Sequence, residues 1–265
     1  ADEGFSDFLA DVRSMNDSVF MGRRESIAAP YLIPSRGYYD QSGFFADASL
    51  SFLTASEASR VDLIWLSAGY LFNANKFSGG ISGTAYFFNE ESNNVMSSVV
   101  GDLTGIIGYD FKLLETTLYL STYFNDGSKN DFIGGLMFDR TFYAINKNLL
   151  INPRISFYAG SQYFYEQYYS NSRLGNRKGK GMGNTGSGVS DSNMVNIEEV
   201  QKFNFLNIEL EIPLQYNYKK FIFSFNPMLA LPQSSATIYT EDTLITEDLE
   251  PVFYWSVGVS YWFIP

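Results

Sequence analysis

The sequence predicts an all-β chain: a transmembrane up-and-down antiparallel β-barrel of about ten strands, with a short N-terminal arm that carries a helix. Three observations point there. From residue 38 onward, apolar and polar side chains alternate with a period of two. The links between the alternating runs are in turn short and long. Aromatic residues make up 17% of the chain and gather near the ends of the runs, where amphipathic rings suit the lipid headgroups. No stretch of about eighteen residues is continuously apolar, so a spanning helix is not encoded, whereas a membrane strand needs only about ten residues of alternating polarity.

Residues 1–37 read differently from the rest. Phe5, Phe8, Leu9, Val12 and Met15 fall at helical spacing and predict a short amphipathic helix, and Arg23, Arg24, Pro30 and Pro34 then suggest an extended arm. The expected division is a periplasmic arm over 1–37 and a barrel over 38–265. A start at Ala1 suits a chain from which a secretory signal has been removed.

The strand runs follow at 43–54, 61–73, 76–89, 99–111, 116–125, 130–146, 149–169, 206–218, 220–238 and 251–264. The clearest sets Leu206, Ile208, Leu210, Ile212, Leu214, Tyr216 and Tyr218 against Asn207, Glu209, Glu211, Pro213, Gln215 and Asn217. In 99–111, Val99, Leu103, Ile107, Tyr109 and Phe111 oppose Asp102, Thr104, Gly108 and Asp110. Two runs are imperfect. Leu63 and Trp65 share a face with Ser67, and Arg140 falls among Phe132, Leu136, Phe138 and Phe142, which calls for a bulge or an interface position. Pro153, Pro213 and Pro227 each lie several residues from a short turn, which places prolines at similar depth in adjacent strands.

Short links at 73–76, 113–115, 146–148 and 218–220 alternate with long ones at 55–60, 89–97, 125–130, about 170–199 and 239–250. One rim would then face the periplasm, with both termini, and the other the outside. A soluble barrel or sandwich also alternates, with its apolar face inward. Here the polar face is rich in Ser and Gly, which suits a narrow wet lumen, and the bulky face is nearly unbroken.

The last run, Val252 to Pro265, contains Gly258, Tyr261 and Phe263. It resembles the C-terminal signal of Gram-negative outer-membrane β-barrel proteins, which the barrel-assembly machinery recognises, and the aromatic-rich style resembles barrels of the Bacteroidota. The resemblance implies an outer-membrane location, contact with lipid and lipopolysaccharide, and other outer-membrane proteins as partners.

Composition removes several kinds of chemistry. A net charge of −11 opposes binding to nucleic acid. The chain has no Cys and no His, so thiolate nucleophiles, Cys-ligated metals and His-dependent hydrolase devices cannot be built from it. The omptin-type proteases resemble it in strand count, but their mechanism uses an Asp-His pair. No cofactor or metal is expected. Gly181 to Gly186 spells a G-x-G-x-x-G without the strand and helix that a phosphate loop requires, and the acidic cluster around Glu241, Asp242, Glu247, Asp248 and Glu250 lacks the spacing of a Ca²⁺ loop.

The inward-facing charges Asp47, Asp102, Asp110, Asp139, Arg154, Glu209 and Glu211 are expected to form a salt-bridged lumen network that plugs the barrel. Arg173, Arg177, Lys178 and Lys180 in the longest link are candidates for contact with lipopolysaccharide or a partner at the outer surface. The expected role is a non-enzymatic accessory subunit of a larger outer-membrane assembly. The alternatives are a narrow porin-like channel and, further off, a barrel-embedded hydrolase.

Overall fold

The computed structural model describes residues 6–24, 29–54, 59–92, 94–127, 129–168, 196–197, 202–235, 237–239 and 244–263. Twelve antiparallel strands pair in sequence order and close into a barrel. They are β1 (Asp7–Met15), β2 (Tyr31–Tyr39), β3 (Phe44–Leu53), β4 (Arg60–Ala74), β5 (Phe77–Phe88), β6 (Val99–Asp110) and β7 (Glu115–Asn125). There follow β8 (Asp131–Asp139, resuming at Phe142–Ala144), β9 (Leu149–Ile151 and Arg154–Gly160) and β10 (Asn204–Glu211 and Leu214–Tyr218). The last two are β11 (Phe221–Pro232) and β12 (Val252–Phe263). A separate three-stranded sheet joins 196–197, 237–239 and 244–246 above the long-loop rim.

The count of twelve corrects the expected ten, and the correction lies wholly in the first 39 residues. The expected N-terminal helix is strand β1, and the expected arm supplies β2. Phe8 and Val12 fit a helical stripe, but they fit period two equally well, with Phe8 and Val12 outward and Leu9, Asp11, Arg13 and Met15 inward. The strand prevails because β2 and β12 would otherwise each present an unpaired edge to hydrocarbon, where each unpaired peptide group costs several kcal/mol. β1 removes both edges by pairing with β2 on one side and β12 on the other.

Alternation elsewhere sets the faces as the sequence suggests. Leu103, Leu120, Phe132, Leu136, Leu210, Phe223 and Phe253 are exposed on the outer wall. Three β-bulges break the alternation, all near the long-loop rim. One skips Asp62 and turns it inward. Another lies between Val99 and Gly101, and a third skips Leu206 opposite Tyr158 and Ala159. Val99 and Leu206 are thus fully buried inside, not on the lipid face that strict alternation predicts.

The prolines do share a depth. Backbone bonds run from Arg140 N to Pro153 O, Asn152 N to Pro213 O and Ile212 N to Pro227 O, at 3.3, 2.9 and 3.2 Å. Each interruption of β8, β9 and β10 sits on this stair, because proline supplies no donor to the ladder. Arg140 lies in the first interruption. Its guanidinium donates to the carbonyls of Lys112 and Leu113 in the β6–β7 turn and lies 5.7 Å from the Phe142 ring centre, a snorkelling position at the short-turn rim.

The main apolar core is not between layers but inside the barrel mouth. Phe20 and Met21 from the β1–β2 loop, Val95 and Met96 from the β5–β6 loop, and Phe164 and Tyr165 pack against Val99, Tyr123, Ile133 and Leu206 of the wall. Phe164 and Tyr165 belong to a one-and-a-half-turn helix, α1 (Tyr163–Tyr168), folded inward after β9. Aromatics at this run's end thus face inward, not toward the lipid headgroups as their clustering at run ends suggests: Phe164 and Tyr165 are buried. The Met21-Gly22 turn holds both residues at positive φ, 49° and 79°, between a Phe20–Arg23 bridge, and a Cβ on Gly22 would come within 2.8 Å of Pro232.

One carboxylate holds α1 in place. The fully buried Asp131 accepts bonds from Ser161 Oγ (2.6 Å), Asn125 Nδ2 (2.7 Å) and the backbone N–H groups of Tyr163 and Phe164 (both 2.8 Å). A carboxylate that accepts from the first N–H groups of a helix does the work of a cap.

Two outcomes are expected. Leu210→Arg, midway along the lipid face of β10, lowers unfolding free energy in lipid vesicles by about 2–4 kcal/mol, whereas the inward Glu209→Gln lowers it by about 1 kcal/mol; urea titration followed by tryptophan fluorescence measures both, and equal effects would contradict the assigned faces. Asp131→Ala leaves two buried N–H groups unpaired and lowers stability of the mouth by about 3 kcal/mol. Limited chymotrypsin digestion should then cut at the 163–168 aromatics faster than in the parent protein while the wall stays intact.

Candidate solute pathway through the lumen

Inward positions on β5 to β12 carry a band of tyrosines that alternation alone does not single out. Tyr86 donates to Asp102 Oδ2 (2.8 Å) and Tyr254 to Glu209 Oε2 (2.9 Å). The hydroxyls of Tyr119 and Tyr123 bond each other, and the Tyr119 ring meets that of Tyr158 edge-on with centres 6.1 Å apart. The sequence did hold a signal for them. Tyr119 and Tyr123 share parity with Ser121, and Tyr254 shares parity with Ser256 and Ser260, so these rings sit on the polar face of their strands.

The predicted lumen charges are only partly united. Asp102 also accepts from Thr104 Oγ1 at 2.6 Å. Glu211 accepts from Asn226 Nδ2 at 3.1 Å, and Asp139 from Asn152 Nδ2 at 2.8 Å. Arg154 stands in register between Asp139 and Glu211 and gives its Nε to Asn152 Oδ1 at 3.2 Å. The expected salt-bridge network is therefore largely a network of hydroxyl and amide donors onto carboxylates. Neutral donors can hold a carboxylate without a second desolvated ion. Asp110 departs from the expectation: it is exposed at the short-turn rim and accepts from the Lys112 N–H.

Strand β1, whose spacing also suits a helix, adds further members. Asp11 accepts from Ser260 Oγ at 2.6 Å and lies 3.8 Å from Arg13, and both line the lumen. They border a cavity of about 460 Å³ on the inner faces of β1 to β4, which runs from Leu9, Gly37 and Tyr39 near the short-turn rim to Ser18, Asn94 and Met96 of the long loops. Along β2 it extends from Tyr31 to Tyr39, eight steps of about 3.3 Å, or roughly 26 Å before strand tilt. This approaches the hydrocarbon thickness of a bilayer, about 30 Å. Asp47 faces the same cavity.

Charge pairs tie the loops over its upper end. Asp62 accepts from Tyr31 Oη (2.8 Å), Ser92 Oγ (2.9 Å) and Arg60 Nε (3.1 Å), and Asp17 pairs with Arg24 at 2.8 Å. Arg23, only 3% exposed, forks onto Glu247 at 3.0 and 3.2 Å and stacks 4.5 Å over the Tyr165 ring. Glu247, one of the acidic cluster noted in the sequence, thus serves as a partly buried ion-pair partner. Across the membrane-spanning part of the wall, inward carboxylates (Asp11, Asp47, Asp102, Glu115, Asp139, Glu209 and Glu211) outnumber the cations Arg13 and Arg154.

Of the remaining sequence candidates, Gly258 faces the lumen beside Ser224, while Tyr261 and Phe263 face outward, with the Tyr261 ring 5.0 Å from Phe221 and 4.7 Å from Phe263. Arg173, Arg177, Lys178 and Lys180 lie outside the described residues. Among the described residues no group of three or more metal-ligating side chains converges.

No family model matches the sequence, and no curated protein is similar to it at a significant level. Solved structures are similar in shape. The NanC porin matches with a TM-score of 0.52 and 13% identity, over 95% of this chain and 98% of that one. The KdgM porin matches with a TM-score of 0.48 and 12% identity, over 96% and 98%. LpxR from Salmonella typhimurium gives 0.46 and 8%, over 96% and 100%. At this identity the likeness to NanC speaks to architecture: the chain has the closed β-barrel fold of the small outer-membrane porins.

Proposed function

We propose that the chain is a narrow, non-enzymatic, porin-like channel of a Gram-negative outer membrane that favours cations. The observation that carries this reading is the cavity along β1 to β4, which follows the lumen for most of the membrane thickness and is bordered by Asp11 and Asp47. Rings of carboxylate in a low-dielectric tube favour cations because the image cost of entry is offset by fixed negative charge. The short-turn rim and both termini face the periplasm in this reading, and the long loops face outward. Tyr261 and Phe263 then present the outward edge of the last strand to the assembly machinery.

The aromatic core in the mouth favours a second reading, in which the barrel is shut and acts as an accessory subunit. Current separates the two. Purified chain in planar bilayers should show small openings with a reversal potential on the cation side under a salt gradient. Asp11→Asn with Asp47→Asn should move that potential toward zero. Absence of openings in the parent chain, and also in Asp131→Ala with its loosened mouth, would leave the accessory reading and remove the channel.

A further inference from the structure

Within the cavity, Asp47 differs from the other inward carboxylates. Asp11 has Ser260 and Arg13, Asp102 has Tyr86 and Thr104, and Glu209 has Tyr254. Among the described residues Asp47 takes part in no hydrogen bond or ion pair, yet it is half-buried in the wall of the lumen cavity. Its surroundings are aromatic. Asp47 stands opposite Gly37 on one side and Ser67 on the other. Across Ser67, the next inward residue toward the loops is Trp65, a diagonal neighbour at about 7–8 Å between backbones.

On the other side the Tyr39 ring folds back over Gly37, where a Cβ would come within 2.8 Å of it. Glycine at 37 leaves room for that ring, which stacks on Phe45 with centres 6.1 Å apart. Toward the loops from Trp65 the lining includes the apolar Ile33 and Leu63 among serines. Arg13 is the other charge facing this space, and Asp11 at 3.8 Å offsets it, so the local excess is the one negative charge of Asp47.

We infer that this part of the lumen is a binding site for an organic cation with an apolar body: an ammonium group on Asp47 between the faces of Tyr39 and Trp65, and a hydrocarbon or aryl group against Ile33 and Leu63. An aromatic ring attracts a cation through its quadrupole, and a carboxylate without other partners supplies the charge. The volume of about 460 Å³ is that of a small-ligand site. An inorganic cation gains nothing from Ile33 and Leu63, and a neutral aryl solute leaves Asp47 unpaired. The inference rests on the channel reading for its physiological sense but not for its test.

The test uses the full chain folded in a maltoside detergent, which carries no ammonium headgroup to compete, and three probes of one size: phenethylammonium, 2-phenylethanol and phenylacetate. Calorimetric titration should show phenethylammonium binding at one site, with 2-phenylethanol weaker by about tenfold or more and phenylacetate not binding. Asp47→Asn and Trp65→Leu should each weaken phenethylammonium by about tenfold, while circular dichroism and the heat-dependent shift in gel mobility stay as in the parent. Tyr39→Phe, which keeps the ring, should retain most of the binding.

Equal binding of the amine and the alcohol, or indifference to Asp47→Asn, would overturn the site. Planar-bilayer current distinguishes this failure from that of the channel. Cation current without phenethylammonium binding or block removes the site and keeps the channel; binding without current keeps the site and removes the channel.

Discussion

The structure depends on one constraint: in hydrocarbon every peptide N–H and C=O needs a partner within the protein. A sheet meets it only by closing on itself. That requirement recruits residues 7–15 into the wall despite their helical spacing, since β1 is the strand that joins β2 to β12. It also decides where imperfection is tolerated. Prolines 153, 213 and 227 fall on one stair, so the donors lost from neighbouring strands are lost together and the interrupted ladder is confined to a short band.

Closure then creates an interior, and the interior is divided. At the long-loop end it is filled with Met21, Val95, Phe164 and their neighbours, a core of the kind a soluble protein buries. Along β1 to β4 it stays open. The bulges join these two regimes to the wall. Each inserts a residue at the rim, and the changed parity brings Asp62, Val99 and Leu206 inward, where the loops can bond to them or pack on them. Without the bulges those positions would face lipid or headgroups, and Asp62 would be a charge in the wrong medium.

Polar chemistry inside is arranged with few ion pairs. Tyrosine, serine, threonine and asparagine donate to the carboxylates, which keeps the acidic excess of the lumen while satisfying its members one by one. Asp47 stands outside that arrangement, in the wall of the cavity along β1 to β4. Its carboxylate, without a hydrogen-bond or ion-pair partner among the described residues, shares the open cavity with Tyr39 and Trp65.

The sequence by itself determined the class of fold, the order of short and long links, and the face of nearly every strand from β3 to β12. Period-two alternation is a local property, and a residue such as Leu210 or Glu209 shows its face through its immediate neighbours. It also placed Asp47, Asp102, Asp139, Arg154, Glu209 and Glu211 on the inner wall. What only the tertiary structure decided is everything that depends on the far side of the barrel. The pairing of Asp7–Met15 is with a strand some 250 residues away, at |i−j| of 249 for Ser260 and Asp11. The reversal of Val99 and Leu206 answers to loops from other parts of the chain, the bond network around Asp131 joins β8 to α1, and only the tertiary structure shows Asp47 without a hydrogen-bond or ion-pair partner among the described residues. Alternation records which way a side chain points; closure decides what it meets.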